Sequence, residues 1–279
     1  MMRGRHYSDP VVQRAWRLLL ICFLVIGLLF VLCPLLSVLF LSLNSRQVYA
    51  GRWVSTPTFK WYILLPHEID GMAWGNTLWL SAGVTAVACF VAFLSALNWW
   101  KPLRLCTLLV LGFGVASVPA AAYSIALSHC FELVGIESSS GVILAVADVL
   151  WVLPFCTAVI LLGMSRVTRN QLMAAWELSG GRRIVVVWWV VVPAVAGSIT
   201  GALSIGLLLT TNEYVRAGYL GGPLELLGRV IYGKLSSGTD PTVYAITGAN
   251  LAVSVLVVSA IVAMLGRRRR VTVPKTPGG

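Results

Sequence analysis

The chain has 279 residues, of which 58% are hydrophobic and 11% are charged, and its mean hydropathy is +0.86. This composition excludes an ordinary water-soluble domain and predicts an all-α protein that crosses a membrane several times. The formal net charge of +11 would suit a nucleic-acid partner, but the basic residues are distributed along the chain as in a membrane protein.

The apolar segments set the predicted organisation of the chain. A transmembrane helix needs roughly 20 mostly apolar residues, and six segments meet that length. The first is too long, and followed by too many further spans, to be a cleaved signal peptide. The sequence predicts one membrane domain at residues 18–265, with a basic arm at 1–17 and a basic tail at 266–279. The predicted spans are Leu18–Leu43, Trp74–Asn98, Leu105–Ser128, Gly141–Met164, Ile184–Thr211 and Tyr244–Leu265.

Lysine and arginine indicate the orientation. With the amino terminus in the cytoplasm, 15 of the 21 basic residues fall in cytoplasmic segments. This asymmetry follows the positive-inside rule, so both termini are predicted to be cytoplasmic. The run Arg267–Arg270 is then better explained as an anchor for anionic lipids than as a nucleic-acid arm. We expect contact with the lipid bilayer and none with nucleic acid.

The first half of the chain carries prolines and interfacial aromatic residues. Pro34 is expected to kink the first span, and Pro119 lies late in the third. The loop before the second span contains Phe59, Trp61 and Tyr62, which suit the headgroup region of a bilayer.

The fourth span contains one acid and one proline. Asp148 lies within the apolar segment, where a carboxylate is costly and is usually functional. It could line a substrate pathway, bind a neighbouring helix or contact a second subunit. Pro154 is expected to break the helix and free a carbonyl group beside a cavity.

The loop at residues 165–183 is predicted to contain a short cytoplasmic helix. Leu172, Ala175, Trp176 and Ser179 recur at helical spacing, and the pair Gly180-Gly181 is typical of a helix C-cap. After it the chain becomes apolar and re-enters the membrane.

The fifth span begins near Pro193 and ends in polar residues. Its small residues Gly197, Gly201 and Ser204 predict close helix packing. Asn212 and Glu213 follow the span, and Glu213 could face a substrate gate or be an ordinary interfacial acid.

The sequence contains no pattern typical of catalysis. The three histidines and the six cysteines are dispersed, so the cysteines are interpreted as packing residues without a disulfide or metal framework. A phosphate-binding Gly-x-x-x-x-Gly-Lys-Ser/Thr motif is absent, so ATP would have to be bound by a separate ATPase. The cysteines are Cys22, Cys33, Cys89, Cys106, Cys130 and Cys156, and the histidines are His6, His67 and His129.

The 165–183 loop resembles the cytoplasmic coupling loop of ABC importer permeases. That motif reads Glu-Ala-Ala, three residues, Gly, and Pro thirteen residues after the Gly. Ala174, Ala175 and Trp176 stand at the triplet, with Gly180 and Pro193 at the two later positions. The spacing is kept, although Ala174 replaces the family's Glu and Trp176 its second Ala.

Other segments, in the same order as in the family, resemble the spermidine/putrescine-type permeases. They cover roughly the last three quarters of the chain. The matching segments are Phe59 with Lys60-Trp61-Tyr62, Asn76-Thr77-Leu78, Leu153-Pro154-Phe155, Asn212-Glu213, Gly221-Gly222-Pro223 and Ile231-Tyr232.

The resemblance implies a permease subunit of a type I ABC importer in the bacterial inner membrane, which is not itself an enzyme. Its implied partners are a dimeric ATPase that binds ATP and Mg, a second homologous permease, and a periplasmic or extracellular substrate-binding protein. Trp176 and Leu178 would anchor the ATPase contact. The full implied set is Ala174, Ala175, Trp176, Glu177, Leu178, Gly180, Gly181, Arg182 and Arg183 for coupling, Pro154 and Pro193 as hinges, and Asp148, Asn212 and Glu213 for the pathway or gate.

The resemblance indicates the class of transporter but does not single out its substrate. A polyamine is the leading hypothesis, and thiamine, ferric iron and phosphonate are alternatives within the family. A secondary transporter or channel, or a scaffold subunit without transport activity, are alternatives of another class. The acids that favour a cation are Glu68, Asp70, Glu132, Glu137, Asp148, Glu213, Glu225 and Asp240, and the opposing basic residues are Arg46, Arg52, Lys60, Arg216, Arg229 and Lys234.

Overall fold

The structure is a computed structural model that describes residues 10–44, 57–97, 102–135, 141–237 and 241–271. These ranges are mostly helical and contain no strand beyond an isolated bridge between Asn44 and Pro57. Parts of the predicted arm, tail and loops lie outside the described residues, among them Arg46, Arg52, Glu137 and Asp240.

Twelve α-helices and one π-helical turn make up the described residues. A capped start is clearest at α3, where the Asp70 side chain accepts a hydrogen bond from the Met72 amide. The helices are α1 (Pro10–Ser42), α2 (Lys60–Glu68), α3 (Gly71–Ala96), α4 (Pro102–Ala116), α5 (Ala120–Leu133), α6 (Gly141–Met164), α7 (Arg169–Leu178), α8 (Arg183–Val186), the π-turn (Val187–Val191), α9 (Val192–Thr211), α10 (Val215–Leu220), α11 (Leu227–Ser237) and α12 (Pro241–Val271).

Among the described residues, five stretches are long and apolar enough to cross a membrane, so the chain is a multi-pass membrane protein. The third predicted span is instead divided into α4 and α5, which meet at an angle of 107° and would together form one broken span. Pro119 causes the break, because it lacks an N–H donor and restricts the residue before it. The five stretches are Trp16–Ser42, Gly71–Ala96, Gly141–Met164, Arg183–Thr211 and Pro241–Ala263.

The described residues divide into two compact units. The first contains residues 10–44, 57–63 and 241–248. In it the Ser42 hydroxyl lies 2.8 Å from the Tyr62 hydroxyl, and the Trp61 indole donates a 2.7 Å hydrogen bond to the Asn44 carbonyl. The interfacial aromatic residues therefore fasten the start of α2 to the end of α1.

The second unit contains residues 64–97, 102–135, 141–237 and 249–271, and α3, α6 and α9 form its core. Small side chains let these helices approach closely. Cys89 and Cys156 lie within this core as buried packing residues, with their sulfur atoms 3.6 Å apart. The other buried core residues are Ala88, Ala92, Ala96, Val152, Ile160, Met164, Val167, Val191, Val195 and Ala202.

The sequence predicted that Gly197, Gly201 and Ser204 permit this packing, and the structure agrees only in part. A Cβ atom on Gly206 would lie 2.7 Å from Thr85 Cγ2, and one on Gly201 would lie 3.4 Å from Val159 Cγ1. Gly197, by contrast, is exposed. Close contacts with α9 therefore occur on both sides of Gly201, since a Cβ atom on Gly163 of α6 would lie 2.6 Å from Ser198 Cβ.

The two prolines predicted as helix breaks behave differently from that expectation. α6 continues through Pro154, whose ring is buried against Gly112 of α4. Before Pro193 the chain forms the π-turn, in which the Val192 amide donates to the Val187 carbonyl five residues earlier. Because neighbouring packing and the π-turn accommodate the lost hydrogen bonds, the helices continue.

Gly206→Leu is expected to destabilise the purified chain by about 1–3 kcal/mol, because the new side chain must displace Thr85 in a packed core. Gly83→Leu is the matched control, since Gly83 is exposed in α3 with no atom near its Cβ position. Thermal unfolding in detergent measures both variants. Equal melting temperatures would contradict the close α3–α9 contact.

Candidate functional site

Arg216 is completely buried at the centre of a charged cluster. It lies on the short helix α10, which packs against α5 and the Gly141 end of α6 through Ala217 and Leu220. A buried arginine requires negative partners, because the guanidinium remains charged. The cluster supplies two of them.

Asp148 and Glu213 contact opposite parts of the guanidinium. Arg216 Nε donates a 2.6 Å hydrogen bond to Asp148 Oδ1. Arg216 Nη2 lies 3.1 Å from Glu213 Oε2, an ionic contact without hydrogen-bond alignment. Asp148 and Glu213, two predicted pathway residues far apart in sequence, are thus joined by Arg216. The sequence had counted Arg216 only as a basic residue that opposes a cationic substrate.

The rest of the guanidinium is covered by an aromatic ring. The Arg216 guanidinium carbon lies 4.2 Å from the centre of the Trp151 ring, within the range of a cation–π contact. Asp148 and Trp151 are three residues apart on α6 and so share one face of that helix. Nearby, the Tyr123 hydroxyl donates to the Ala147 carbonyl at 3.3 Å.

Glu213 also fixes the start of α10. Its Oε1 accepts hydrogen bonds from the Val215 and Arg216 amides at 3.1 and 3.0 Å. One carboxylate therefore caps the helix with one oxygen and faces the arginine with the other. This arrangement orients Arg216 towards α6.

Asn212 is not part of the cluster. Its amide donates to the Leu208 carbonyl, and its Oδ1 accepts from Asn250 of α12 at 3.2 Å. The predicted pair Asn212-Glu213 is thus divided between a helix contact and the charged cluster.

A second candidate site is α7, whose two ends are both held by capping motifs. At its start the Thr168 and Gln171 side chains each bind the other residue's amide, forming a capping box. At its end the Gly181 amide donates to the Trp176 carbonyl and the Gly180 amide to the Glu177 carbonyl, the two bonds of a Schellman motif. Gly180 and Gly181 have φ values of 63° and 78°, which favour glycine.

Three apolar side chains of α7 are exposed among its polar ones. Leu178 is 90% exposed, Met173 50% and Trp176 42%. The Trp176 ring lies 3.7 Å from the Cβ position of Gly181, and the Arg183 guanidinium carbon lies 5.9 Å from the ring centre. Leu172, in contrast, is partly buried against the α3–α6–α9 core.

The remaining residues of the predicted coupling set lie on α7 or directly after its glycine turn. Arg182 precedes α8 as its N-cap residue, and Arg183 begins it. The side chains of Ala174 and Glu177 are exposed, and Ala175 is half-buried. None of the α7 side chains is fully buried.

Three predicted acids meet in a cleft of about 580 Å³ at the Gly71 end of α3. Glu68 is paired there with Lys234 at 2.7 Å, and Asp70 caps α3. Glu225 lines the cleft together with Arg229. Of these three acids, Glu68 therefore already has a cationic partner in the chain.

The sequence did not single out Arg216, which counted only as a basic residue opposed to a cationic substrate. Two signals were present. Glu213 and Arg216 have the i, i+3 spacing of a helical ion pair, and Arg216 interrupts a segment of apolar and small residues that buries its face.

No protein-family model matches this chain, and no curated protein matches it. Similarity therefore assigns no role to the charged cluster or to α7. Their roles depend on the chemistry of the side chains described above.

The buried pair gives a prediction for stability. Asp148→Asn and Arg216→Met should each lower the free energy of unfolding by about 3–5 kcal/mol, because each removes one member of a buried ion pair and leaves the other. The double variant should lose less than the sum of the two, since neither charge of the pair remains. Unfolding of the three purified variants in detergent measures the coupling, and strictly additive losses would contradict the ion pair.

Proposed function

We propose that this chain is the membrane-spanning permease subunit of an ATP-driven ABC importer in a bacterial inner membrane. The observation that carries the proposal is α7, a capped helix between two membrane-crossing segments that leaves apolar side chains exposed. In this proposal the helix docks into a groove of a separate ATPase that covers those side chains. The fit of the motif spacing from Ala174 to Pro193 supports the same assignment.

The exposed side chains suit a protein partner. Met173, Trp176 and Leu178 together present an aromatic and two flexible apolar side chains. Tryptophan is among the residues that contribute most to binding energy when a partner covers them, and a helix in a groove is anchored by its apolar side chains. Because the capping box and the glycine turn already fix the helix, docking would require little ordering of the chain.

The loop is also fastened to the helical core, which supports a coupling role. Val167 is buried in the α3–α6–α9 core and Leu172 packs against it. After α7, the Schellman turn leads within two residues into α8. A displacement of α7 by closure of the ATPase dimer would therefore be transmitted to α6 and α9 as a rigid movement.

The other components follow from the same proposal. ATP and Mg would be bound by the ATPase dimer, a second homologous permease would complete the pathway, and a periplasmic or extracellular binding protein would deliver the solute. A polyamine is the leading substrate hypothesis. A secondary transporter that works without ATP is the alternative, and it has no use for the uncovered surface of α7.

Leu178→Asp should abolish co-purification of the ATPase with this chain, because a carboxylate replaces an apolar contact at the docking surface. Leu178 is 90% exposed, so the folding of the chain should be unaffected. The measurement is a mild-detergent pull-down from native membranes, followed by mass spectrometry and an ATPase assay.

Leu178→Met is the matched control, and it should retain the ATPase. If the unmodified chain is isolated alone and transports its solute in vesicles without ATP, the secondary transporter is the better assignment. An ATPase that remains bound to the Leu178→Asp variant would exclude α7 as its docking site.

Gly180→Val should lower ATP-dependent uptake at least tenfold while leaving membrane insertion intact. A β-branched residue at φ 63° costs roughly 1–2 kcal/mol and would unwind the Schellman turn. Gly180→Asn is the control, because asparagine tolerates this conformation, and its uptake should stay close to that of the unmodified chain. Similar uptake by all three proteins would contradict a role for the rigid turn in coupling.

A further inference from the structure

We propose that Asp148, Glu213 and Trp151 form a binding site for an organic cation of the amine or guanidinium type, and that Arg216 is its internal occupant. In the structure the site is closed because the chain supplies its own cation. An external cation would bind by displacing the Arg216 side chain.

The groups around Arg216 are those that recognise organic cations. Two carboxylates approach the guanidinium from Asp148 and Glu213, and the Trp151 ring covers its face at 4.2 Å. Charge-assisted hydrogen bonds and a cation–π contact are the interactions that select such ligands over inorganic ions. The cluster carries one more negative charge than positive charge, which also favours a cation.

Arg216 fits this site incompletely. Of its nitrogen atoms, Nε has a short hydrogen bond, Nη2 has only the ionic contact with Glu213, and Nη1 has no hydrogen-bond partner among the described residues. Both Nη atoms are buried. Buried donors without partners are costly, so a free cation with better geometry could compete with the tethered one.

The helix that carries Arg216 has the means to withdraw it. α10 has only six residues, and residues 212–214 interrupt the helical backbone before it. After it comes the Gly221-Gly222 turn, with Gly222 at φ 54°. Movement of this short helix about its two non-helical junctions would withdraw Arg216 and leave the two acids and Trp151 free.

The link between this site and transport rests on the proposed function. If the chain is a permease, Arg216 keeps the site occupied between transport events, and a solute with a matching cationic group replaces it. The site itself does not depend on an ATPase. Its test therefore uses the purified full chain alone, so its result is independent of the pull-down.

The direct test removes the occupant and supplies it in solution. In Arg216→Ala, methylguanidinium should bind the vacated site and raise the melting temperature by about 3–6 °C at ten times its Kd. The unmodified chain should show a smaller shift, because its own guanidinium competes with methylguanidinium for the site. The double variant Asp148→Asn/Arg216→Ala should lose the shift, since one carboxylate is gone.

Two results would overturn the proposal. One is a melting temperature of Arg216→Ala that methylguanidinium raises no more than potassium does at equal ionic strength. The other is an equal rise in the double variant. In either case the cluster is an ion pair that holds the fold and binds no ligand.

A second measurement keeps Arg216 in place, in case Arg216→Ala does not fold. Ala217 is buried beside Arg216, so a cysteine at this position should react slowly with a water-soluble maleimide. Millimolar methylguanidinium should accelerate labelling at least threefold by displacing α10, whereas potassium should not. Labelling that is insensitive to methylguanidinium would contradict displacement of Arg216.

Discussion

The burial of one guanidinium between two carboxylates constrains the second unit more than any other polar contact described. Removing Arg216 and Asp148 from water is costly, and only close pairing offsets that cost. The pair therefore ties α10 to α6 at one place and in one orientation. Because Glu213 both caps α10 and faces Arg216, the chain from the end of α9 to the glycine turn is positioned by the same charges.

The α7 region differs from the charged cluster because it leaves apolar side chains exposed. Its backbone hydrogen bonds are completed by its own caps, whereas its apolar side chains are left uncovered. A helix that is ordered before it has a partner loses little conformational entropy on docking. The charges of the cluster are thus paired within the chain, although two guanidinium nitrogens lack hydrogen-bond partners among the described residues, whereas α7 is capped at both ends and leaves apolar side chains exposed. This contrast is why we assign the external protein contact to α7 and a small ligand to the cluster.

The sequence predicted much of the fold because composition and local backbone chemistry determine it. Span length gave five of the six predicted membrane segments, and Gly180 and Gly181 adopt the left-handed conformation that a C-cap requires. Proline was less informative. Pro119 separates two helices at 107°, whereas α6 continues through Pro154. The difference lies in tertiary packing, which no local pattern contains. Arg216 was missed for the same reason, since its partner Asp148 is 68 residues away.

The π-turn at Val187–Val191 fixes the rotational phase between the loop and α9. It takes one more residue into a turn than an α-helix does, so side chains before it are rotated by about 100° around the axis relative to an unbroken helix. This single additional residue therefore sets the direction, around the helix axis, in which Arg183 and the preceding glycine turn leave the helix. Loss of one residue between Arg183 and Pro193 would keep both segments helical and apolar, yet would turn α7 away from its present direction.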